Sequence, residues 1–137
     1  TQLLPQGASL FDIGSGAGLP GIVIALARPD LSVTLIEPLE RRVAFLTEAV
    51  EGLNIEVIRG RAQDVKKSAD FVTARAVAPL EKLKKMSWHM VKTGGSLLAM
   101  KGESASSEME GVKGATLHEI TLEGIELGRI VAIKKGA

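Results

Sequence analysis

The sequence predicts an α/β fold in which a mostly parallel sheet is covered by helices on both faces and ends in an antiparallel hairpin. Strand-like and helix-like segments alternate along most of the chain, which is typical of parallel strands joined by crossover helices. A glycine-rich run lies where the first strand gives way to the first helix, and the last two strand-like segments follow each other directly. Such a sheet binds ligands at the carboxyl ends of its strands.

The individual elements follow from the spacing of apolar residues and from the turn residues between them. Parallel strands are predicted over residues 9–13, 31–36, 55–58, 70–74 and 96–100. Helices are predicted over residues 20–28, where a proline opens the helix, over an apolar stripe from 39 to 53, and over 80–91. The hairpin is predicted over residues 116–122 and 129–134, with Gly124 and Gly128 between its strands.

The composition indicates one globular domain that spans residues 1–137. The chain has no cysteine, which excludes a disulfide framework and favours a cytoplasmic location. The longest apolar run, residues 22–27, is too short to cross a membrane, and no signal peptide is recognisable. The net charge is only +1, but residues 66–101 are rich in lysine and arginine, and residues 102–128 are rich in glutamate. This asymmetry fits either a face that binds a polyanion or solvated helix surfaces.

Residues 12–21 read Asp-Ile-Gly-Ser-Gly-Ala-Gly-Leu-Pro-Gly. Glycines at a strand-to-helix turn let the backbone approach a ligand closely, and the first N–H groups of the helix form a polar cradle, so we predict a nucleotide-like cofactor. Residues 16–21 also fit the G-x-G-x-x-G pattern of dinucleotide-binding proteins. Asp12 would repel a pyrophosphate, however, and suits a cofactor with a cationic centre such as S-adenosylmethionine. A purely structural glycine turn stays open.

Glu37 is the predicted ribose ligand. It ends the second strand, 21 residues after Gly16, and an acidic residue about 20 residues beyond the glycine loop reaches ribose hydroxyls in such folds. A carboxylate accepts two hydroxyl hydrogen bonds at once. The alternative is a surface carboxylate that opens the next helix.

Two cations follow predicted strands at the same edge of the sheet. Arg75 comes after the fourth strand, and its planar guanidinium suits phosphates or the acceptor atoms of guanine. The structural alternative is an ion pair with Glu37 or Asp64. Lys101 leaves the fifth strand, where it meets either backbone phosphate or solvent. The two histidines show no metal-ligand spacing, so we expect no metal site.

The run from Asp12 to Gly18 resembles motif I of class I S-adenosylmethionine-dependent methyltransferases. The extension over residues 19–22 narrows the likeness to the glucose-inhibited division protein B family, bacterial 16S rRNA guanine-N7 methyltransferases. Further matching segments follow in order: residues 27–29, Glu37 with 41–46, 59–62, 75–80, 101–102 and 129–133. The resemblance covers the chain from about Phe11 to its end. It also implies a helical segment ahead of motif I, to which nothing here corresponds.

The resemblance implies a class I methyltransferase (Rossmann-like) three-layer sandwich that uses S-adenosylmethionine. Glu37 would hold the ribose hydroxyls, and Ala62 and Gln63 would border the adenine. Gln63 stands where the family pattern leads us to expect an acidic residue. The other implied cofactor neighbours, including the glycines that would wrap the methionine and ribose, are Asp12, Gly14, Ser15, Gly16, Gly18, Leu19, Pro38 and Arg61.

The implied substrate is 16S rRNA or the small ribosomal subunit, with the protein acting as a monomer and without a metal or a membrane. Arg75 would stand beside the transferring methyl and the target base, as the catalytic positioning residue and a further cofactor contact. Guanine N7 carries a free in-plane lone pair, so no general base is required, and alignment of N7, methyl and sulfur would set the rate. The implied RNA-facing cations are Lys101, Arg129, Arg41 and Arg42; the last two also fit a solvated helix surface.

Three alternatives stay open at this point. A class I methyltransferase acting on a small molecule or a protein would share the glycine run and Glu37 without needing Arg75, Lys101 and Arg129 together. A non-catalytic module that binds S-adenosylmethionine or RNA would keep the cofactor residues. A nicotinamide-dependent oxidoreductase would prefer the dinucleotide.

Overall fold

A computed structural model describes residues 5–13, 21–75, 80–101, 115–122 and 125–135. The strands in chain order are β1 (Ser9–Ile13), β2 (Ser32–Glu37), β3 (Ile55–Arg59), β4 (Ala69–Arg75), β5 (Val91–Lys101), β6 (Ala115–Leu122) and β7 (Ile125–Lys134). The helices of the described ranges are α1 (Gly21–Ala27), α2 (Glu40–Ala49) and α3 (Leu80–Ser87), with short 3-10 turns at Ala62–Asp64 and Trp88–Met90.

The described strands form one seven-stranded sheet in the order β3-β2-β1-β4-β5-β7-β6. Strands β1 to β5 pair in parallel, whereas β7 runs antiparallel to both β5 and β6. The predicted parallel sheet with a terminal antiparallel hairpin is therefore confirmed. The order of the strands reverses between β1 and β4, and ligands of such sheets bind beyond the carboxyl ends of the strands at this point.

Helices cover both faces of the sheet because successive strand residues point to opposite sides. Leu35 and Ile36 of β2 are both fully buried, yet they belong to separate apolar clusters. The cluster of Leu35 includes Ile24 of α1 and Leu46 of α2, whereas the cluster of Ile36 includes Leu83 of α3. The molecule thus has three layers, and its central strands are apolar on both faces, as their continuous apolar sequence predicts.

Strand β5 is longer than predicted. The third helix ends at Ser87, and Val91, which was expected to be helical, begins β5. Two glycines make the longer strand possible. Gly94 adopts a φ of +88°, which side chains disfavour, and a Cβ at Gly95 would collide with the backbone carbonyl of Asp70 on β4. The close approach of the two backbones explains why the glycine pair lies within the strand and not in a turn before it.

The hairpin and the second helix also depart from the sequence prediction. Gly128 lies inside β7, opposite Ile120 and next to a register shift, and not in the turn; Gly124 lies outside the described residues. Helix α2 is shorter than the apolar stripe that predicts it. The two end positions of the stripe, Leu39 and Leu53, are 52% and 41% exposed because neither lies in the helix.

Candidate functional site

The carboxyl ends of β1, β2 and β4 lie side by side. Ile13, the last residue of β1, pairs in register with Ile36 of β2 and with Ala74 of β4. Ile13, Glu37 and Arg75 therefore end their strands at the same edge of the sheet, and the glycine run follows Ile13 in the sequence. The predicted cofactor neighbours Gly14, Ser15, Gly16, Gly18 and Leu19 lie outside the described residues, which resume at the start of α1.

Asp12 is fully buried near the end of β1. Its Oδ2 accepts a hydrogen bond from the backbone N–H of Gly21 at 3.0 Å, and its Oδ1 accepts one from the hydroxyl of Thr73 at 2.8 Å. Because Gly21 is the first residue of α1, the carboxylate connects the end of β1 to the start of α1 across the glycine run. Its bond to Thr73 also attaches these two elements to β4. The acid that the sequence assigns to the cofactor thus has a clear structural role as well.

The start of α1 is tightly packed against this carboxylate. A Cβ on Gly21 would lie 2.7 Å from Oδ2 of Asp12 and 2.6 Å from Cδ2 of Leu35, so the position accepts no side chain. Thr73 is 1% exposed and lies directly opposite Asp12 in the β1–β4 register. Sequence reasoning missed Thr73, because a threonine within an apolar strand gives no sign of its partner until the pairing register is known.

Glu37 is 1% exposed at the end of β2. Its Oε1 accepts a hydrogen bond from the N–H of Leu39 at 3.2 Å, and its backbone carbonyl accepts one from the N–H of Gly60 at 3.0 Å. Glu37 is therefore not a surface carboxylate, but its bond to Leu39, the residue before α2, does connect it to the start of the next helix. Hydrogen bonds to a buried carboxylate offset the cost of removing its charge from water.

The Gly60–Glu37 hydrogen bond brings the following turn to the same edge. Ala62 is buried at the start of this turn, while Arg61 and Gln63 on either side of it are exposed. Pro38 is also exposed, directly after Glu37. The structure thus brings together the predicted ribose and adenine neighbours that lie within its described residues: Glu37, Pro38, Arg61, Ala62 and Gln63.

The predicted cations follow the same edge toward the hairpin. Arg75 pairs with Met100 between β4 and β5, and the next residue, Lys101, pairs with Arg129 of β7. These three predicted cations are therefore neighbours in the backbone register, while their side chains lie outside the described part of the structure. The remaining two predicted RNA contacts are exposed in the first turn of α2: Arg41 and Arg42.

His89 has a structural role. Its Nε2 lies 3.1 Å and 3.0 Å from the carbonyl oxygens of Ala62 and Val65, so the ring N–H donates to them and holds that turn against the segment after α3. Among the described residues, no group of histidine and acidic side chains is arranged to hold a metal ion. The described helices include none with the length and apolar character of a membrane span.

The carboxylates with a lowered pKa lie at the opposite, amino edge of the sheet. The backbone N–H and the hydroxyl of Ser9 donate to Oδ2 of Asp70 and lower the pKa of that carboxyl. The guanidinium of Arg28 donates two hydrogen bonds to Asp30, and the N–H of Gly7 donates a third, which lowers the pKa of Asp30. These groups fasten the starts of strands and stand apart from the carboxyl edge.

The pattern at the carboxyl edge agrees with a comparison against known families. The model of the rRNA small subunit methyltransferase G family matches residues 1–135 of the chain. The chain belongs to this family. It is the glucose-inhibited division protein B family that the sequence motifs resemble, so that prediction is confirmed.

Curated relatives carry the same name. Ribosomal RNA small subunit methyltransferase G of Thermobifida fusca is 50% identical over an alignment of 140 residues, which covers 98% of this chain and 57% of the relative. The protein of that name from Kineococcus radiotolerans is 53% identical over 125 residues, covering 87% of this chain and 49% of the relative. The chain thus spans about half the length of the curated relatives it matches.

Solved structures confirm the fold. A methyltransferase from Pyrococcus furiosus superimposes with a TM-score of 0.76 at 18% identity, covering 99% of this chain and 79% of that protein. Together with the strand order, this likeness confirms the predicted class I methyltransferase architecture.

Proposed function

We propose that this chain is the methyl-transferring domain of an enzyme that moves a methyl group from S-adenosylmethionine to N7 of a guanine in 16S rRNA. The observation that carries the proposal is the buried carboxylate of Glu37 at the carboxyl end of β2, beside the end of β1 and the turn after Gly60. Membership of the rRNA small subunit methyltransferase G family supports the RNA substrate.

The described residues fit S-adenosylmethionine at this edge. The carboxylate of Glu37 accepts the two hydroxyls of a ribose. Ala62 is small and buried in the turn that the Gly60–Glu37 hydrogen bond brings to this edge, and it would border the adenine. Asp12 contributes negative charge close to the glycine run, and this charge favours a sulfonium and an ammonium group over a pyrophosphate.

The main task of the protein in this reaction is to align the methyl group with the guanine base. When bound, S-adenosylmethionine supplies an electrophilic methyl: the N7 lone pair forms the new N–C bond, the electrons of the broken S–C bond return to sulfur, and no proton moves. The hydrogen bond between Asp12 and Gly21 joins the residues on either side of the glycine run, which would place the cofactor. Arg75, at the end of β4, would hold the base in line with the methyl. The absence of a required base agrees with His89, which donates to protein carbonyls.

The RNA would approach along the carboxyl edge. Lys101 and Arg129, opposite each other in the β5–β7 register, would contact phosphates beside the target base, and the exposed Arg41 and Arg42 would extend this contact across α2. A protein that methylates small-subunit rRNA would act in the cytoplasm.

The test is methyl transfer by the full-length protein to small ribosomal subunits isolated from cells that lack the modification. We expect label from S-adenosylmethionine to appear in rRNA as 7-methylguanosine. Arg75→Ala should lower kcat/KM by about 100-fold, the effect expected when a reactant loses its alignment. Arg28→Gln removes a guanidinium at the opposite edge and should leave the rate unchanged. Label in a protein or a small molecule, and none in rRNA, would overturn the proposal.

A further inference from the structure

We infer that a second RNA-binding surface lies at the amino edge of the sheet on the α3 side, where it binds phosphates remote from the methylated base. This inference rests on the proposed rRNA substrate. We name this region the lysine surface, and it consists of Lys66, Lys67, Lys84, Lys85, Lys92 and Lys135.

Two of these lysines lie close to the indole ring of Trp88. The ammonium of Lys84 lies 4.6 Å from the centre of the indole ring, and the ammonium of Lys135 lies 5.5 Å from it. Lys135 also donates hydrogen bonds to the carbonyls of Trp88 at 3.0 Å and Val91 at 2.9 Å. An ammonium has three donors, so Lys135 is held in place with one N–H left to meet a ligand.

Further contacts add the remaining lysines. The hydrogen bond from His89 to the carbonyl of Val65 brings residues 66 and 67 next to the turn that carries Trp88. Lys92 directly follows a carbonyl that Lys135 binds, and its charge contributes to the lowered pKa of Asp70 at the same edge. Lysines from four separate segments of the chain thus meet on one side of the molecule.

Acids do lie near these lysines. Glu81 precedes Lys84 and Lys85 by one helical turn, and Asp64 lies two residues before Lys66, but these two acids leave the ammonium groups without close ion pairs. The lysines at positions 66, 67, 85 and 92 are exposed, and no lysine forms a salt bridge among the described residues. The carboxylate of Asp70 lies at this edge but already accepts hydrogen bonds from Ser9. Gathering like charges raises the free energy of a chain whose net charge is only +1, and a bound polyanion removes that cost.

The occupant that fits is the phosphate backbone of RNA. Two ammonium groups lie near the indole ring of Trp88, which favours phosphate contacts over base stacking. Strand β4 has seven residues, so the lysine surface lies roughly 20 Å from the carboxyl edge at about 3.3 Å per residue. The RNA bound here would therefore belong to a different part of the ribosomal particle from the target guanine.

The test compares Lys66→Gln/Lys67→Gln/Lys92→Gln with the charge-retaining Lys66→Arg/Lys67→Arg/Lys92→Arg, both in the full-length protein. The affinity for unmethylated small subunits and for protein-free 16S rRNA is measured at KCl concentrations from about 50 to about 200 mM, over which phosphate contacts make affinity depend strongly on salt. Each lost phosphate contact lowers the log–log salt slope by about 0.7–0.9. For the glutamine variant we expect the magnitude of the salt slope to be smaller by about 2. Its KM for the particle should rise, and its kcat and its affinity for S-adenosylmethionine should not change.

The outcomes separate the two proposals. An unchanged salt slope in the glutamine variant, or an equal loss in the arginine variant, would overturn the lysine surface. So would a charge dependence seen with subunits and lost with protein-free rRNA, because the partner would then be a ribosomal protein. Wild-type protein that binds rRNA through these lysines but transfers no methyl to it would overturn the proposed function alone.

Discussion

At the residue scale, the start of α1 is held by Asp12, one of two buried carboxylates among the described residues of the carboxyl edge. Asp12 accepts hydrogen bonds from Gly21 of α1 and Thr73 of β4. The sequence predicts that Asp12 is important because it precedes the glycine run. Its hydrogen-bond donors could not be predicted, since Gly21 lies beyond the run and Thr73 lies on a strand far along the chain.

Removing the Thr73 hydroxyl should loosen this arrangement. In Thr73→Val the side chain keeps its shape, but Oδ1 of Asp12 loses the hydrogen bond from the threonine hydroxyl. A hydrogen bond to a charged group contributes about 1.5–3 kcal/mol. We expect urea denaturation to show a loss of that size in the free energy of unfolding, and calorimetry to show several-fold weaker binding of S-adenosylmethionine. Thr73→Ser keeps the hydroxyl and should preserve the cofactor affinity; equal affinity in the valine variant would refute the role assigned to Thr73.

At the element scale, the first four parallel strands were predictable to within about one residue at each end. The central ones are easiest to recognise because burial on both faces gives them continuous apolar sequences. The amino-terminal part of β5 was not predictable. Its glycine pair reads locally as a turn, and the close approach of Gly95 to the carbonyl of Asp70 depends on tertiary pairing. Gly128 misled the prediction for the same reason, since a glycine beside a strand irregularity and a glycine in a turn look alike in sequence.

The pairing of β1 and β4 is reinforced by Ser9 and Asp70, whose contribution should depend on pH. The pKa of Asp70 is lowered in the folded state, so the charged carboxylate stabilises the fold above the unfolded pKa of about 3.9, and this stabilisation is lost as the pH falls through the folded value. Asp70→Asn should cost about 1 kcal/mol at pH 7, the low end for a partly open site. The difference from wild type should stay constant above about pH 5 and shrink below about pH 4.

The free energy of unfolding is measured by urea denaturation from about pH 3 to about pH 8, a range that includes the titration of an aspartate near pH 4. Asp64→Asn is the matched control, because Asp64 is exposed on the 3-10 turn and should change little. A difference between wild type and Asp70→Asn that grows on acidification would contradict the stabilising role of this carboxylate.

At the scale of the whole molecule, the two edges of the sheet carry different groups. The groups proposed to bind a cofactor and a target base lie at the carboxyl edge, and the hydrogen-bonded carboxylates and the proposed lysine surface lie at the amino edge. The ribose-binding role of Glu37 stays a prediction from its spacing to the glycine run, and its burial at the end of β2 is compatible with it. The roles of Arg75, Lys101 and Arg129 rest on family resemblance, to which the structure adds their adjacent backbone positions.

The most direct test of the central claim is calorimetric titration of S-adenosylmethionine into the full-length protein and its Glu37→Gln variant. The substitution preserves shape but removes the charge that would bind the ribose hydroxyls, and hydrogen bonds to charged groups contribute about 1.5–3 kcal/mol. We predict that S-adenosylmethionine binds in preference to NAD and that Glu37→Gln weakens its binding by at least about tenfold. Glu40→Gln, an exposed acid three residues further on, should change nothing. Preferential binding of NAD, or equal affinity of the Glu37 variant and the wild type, would contradict the account.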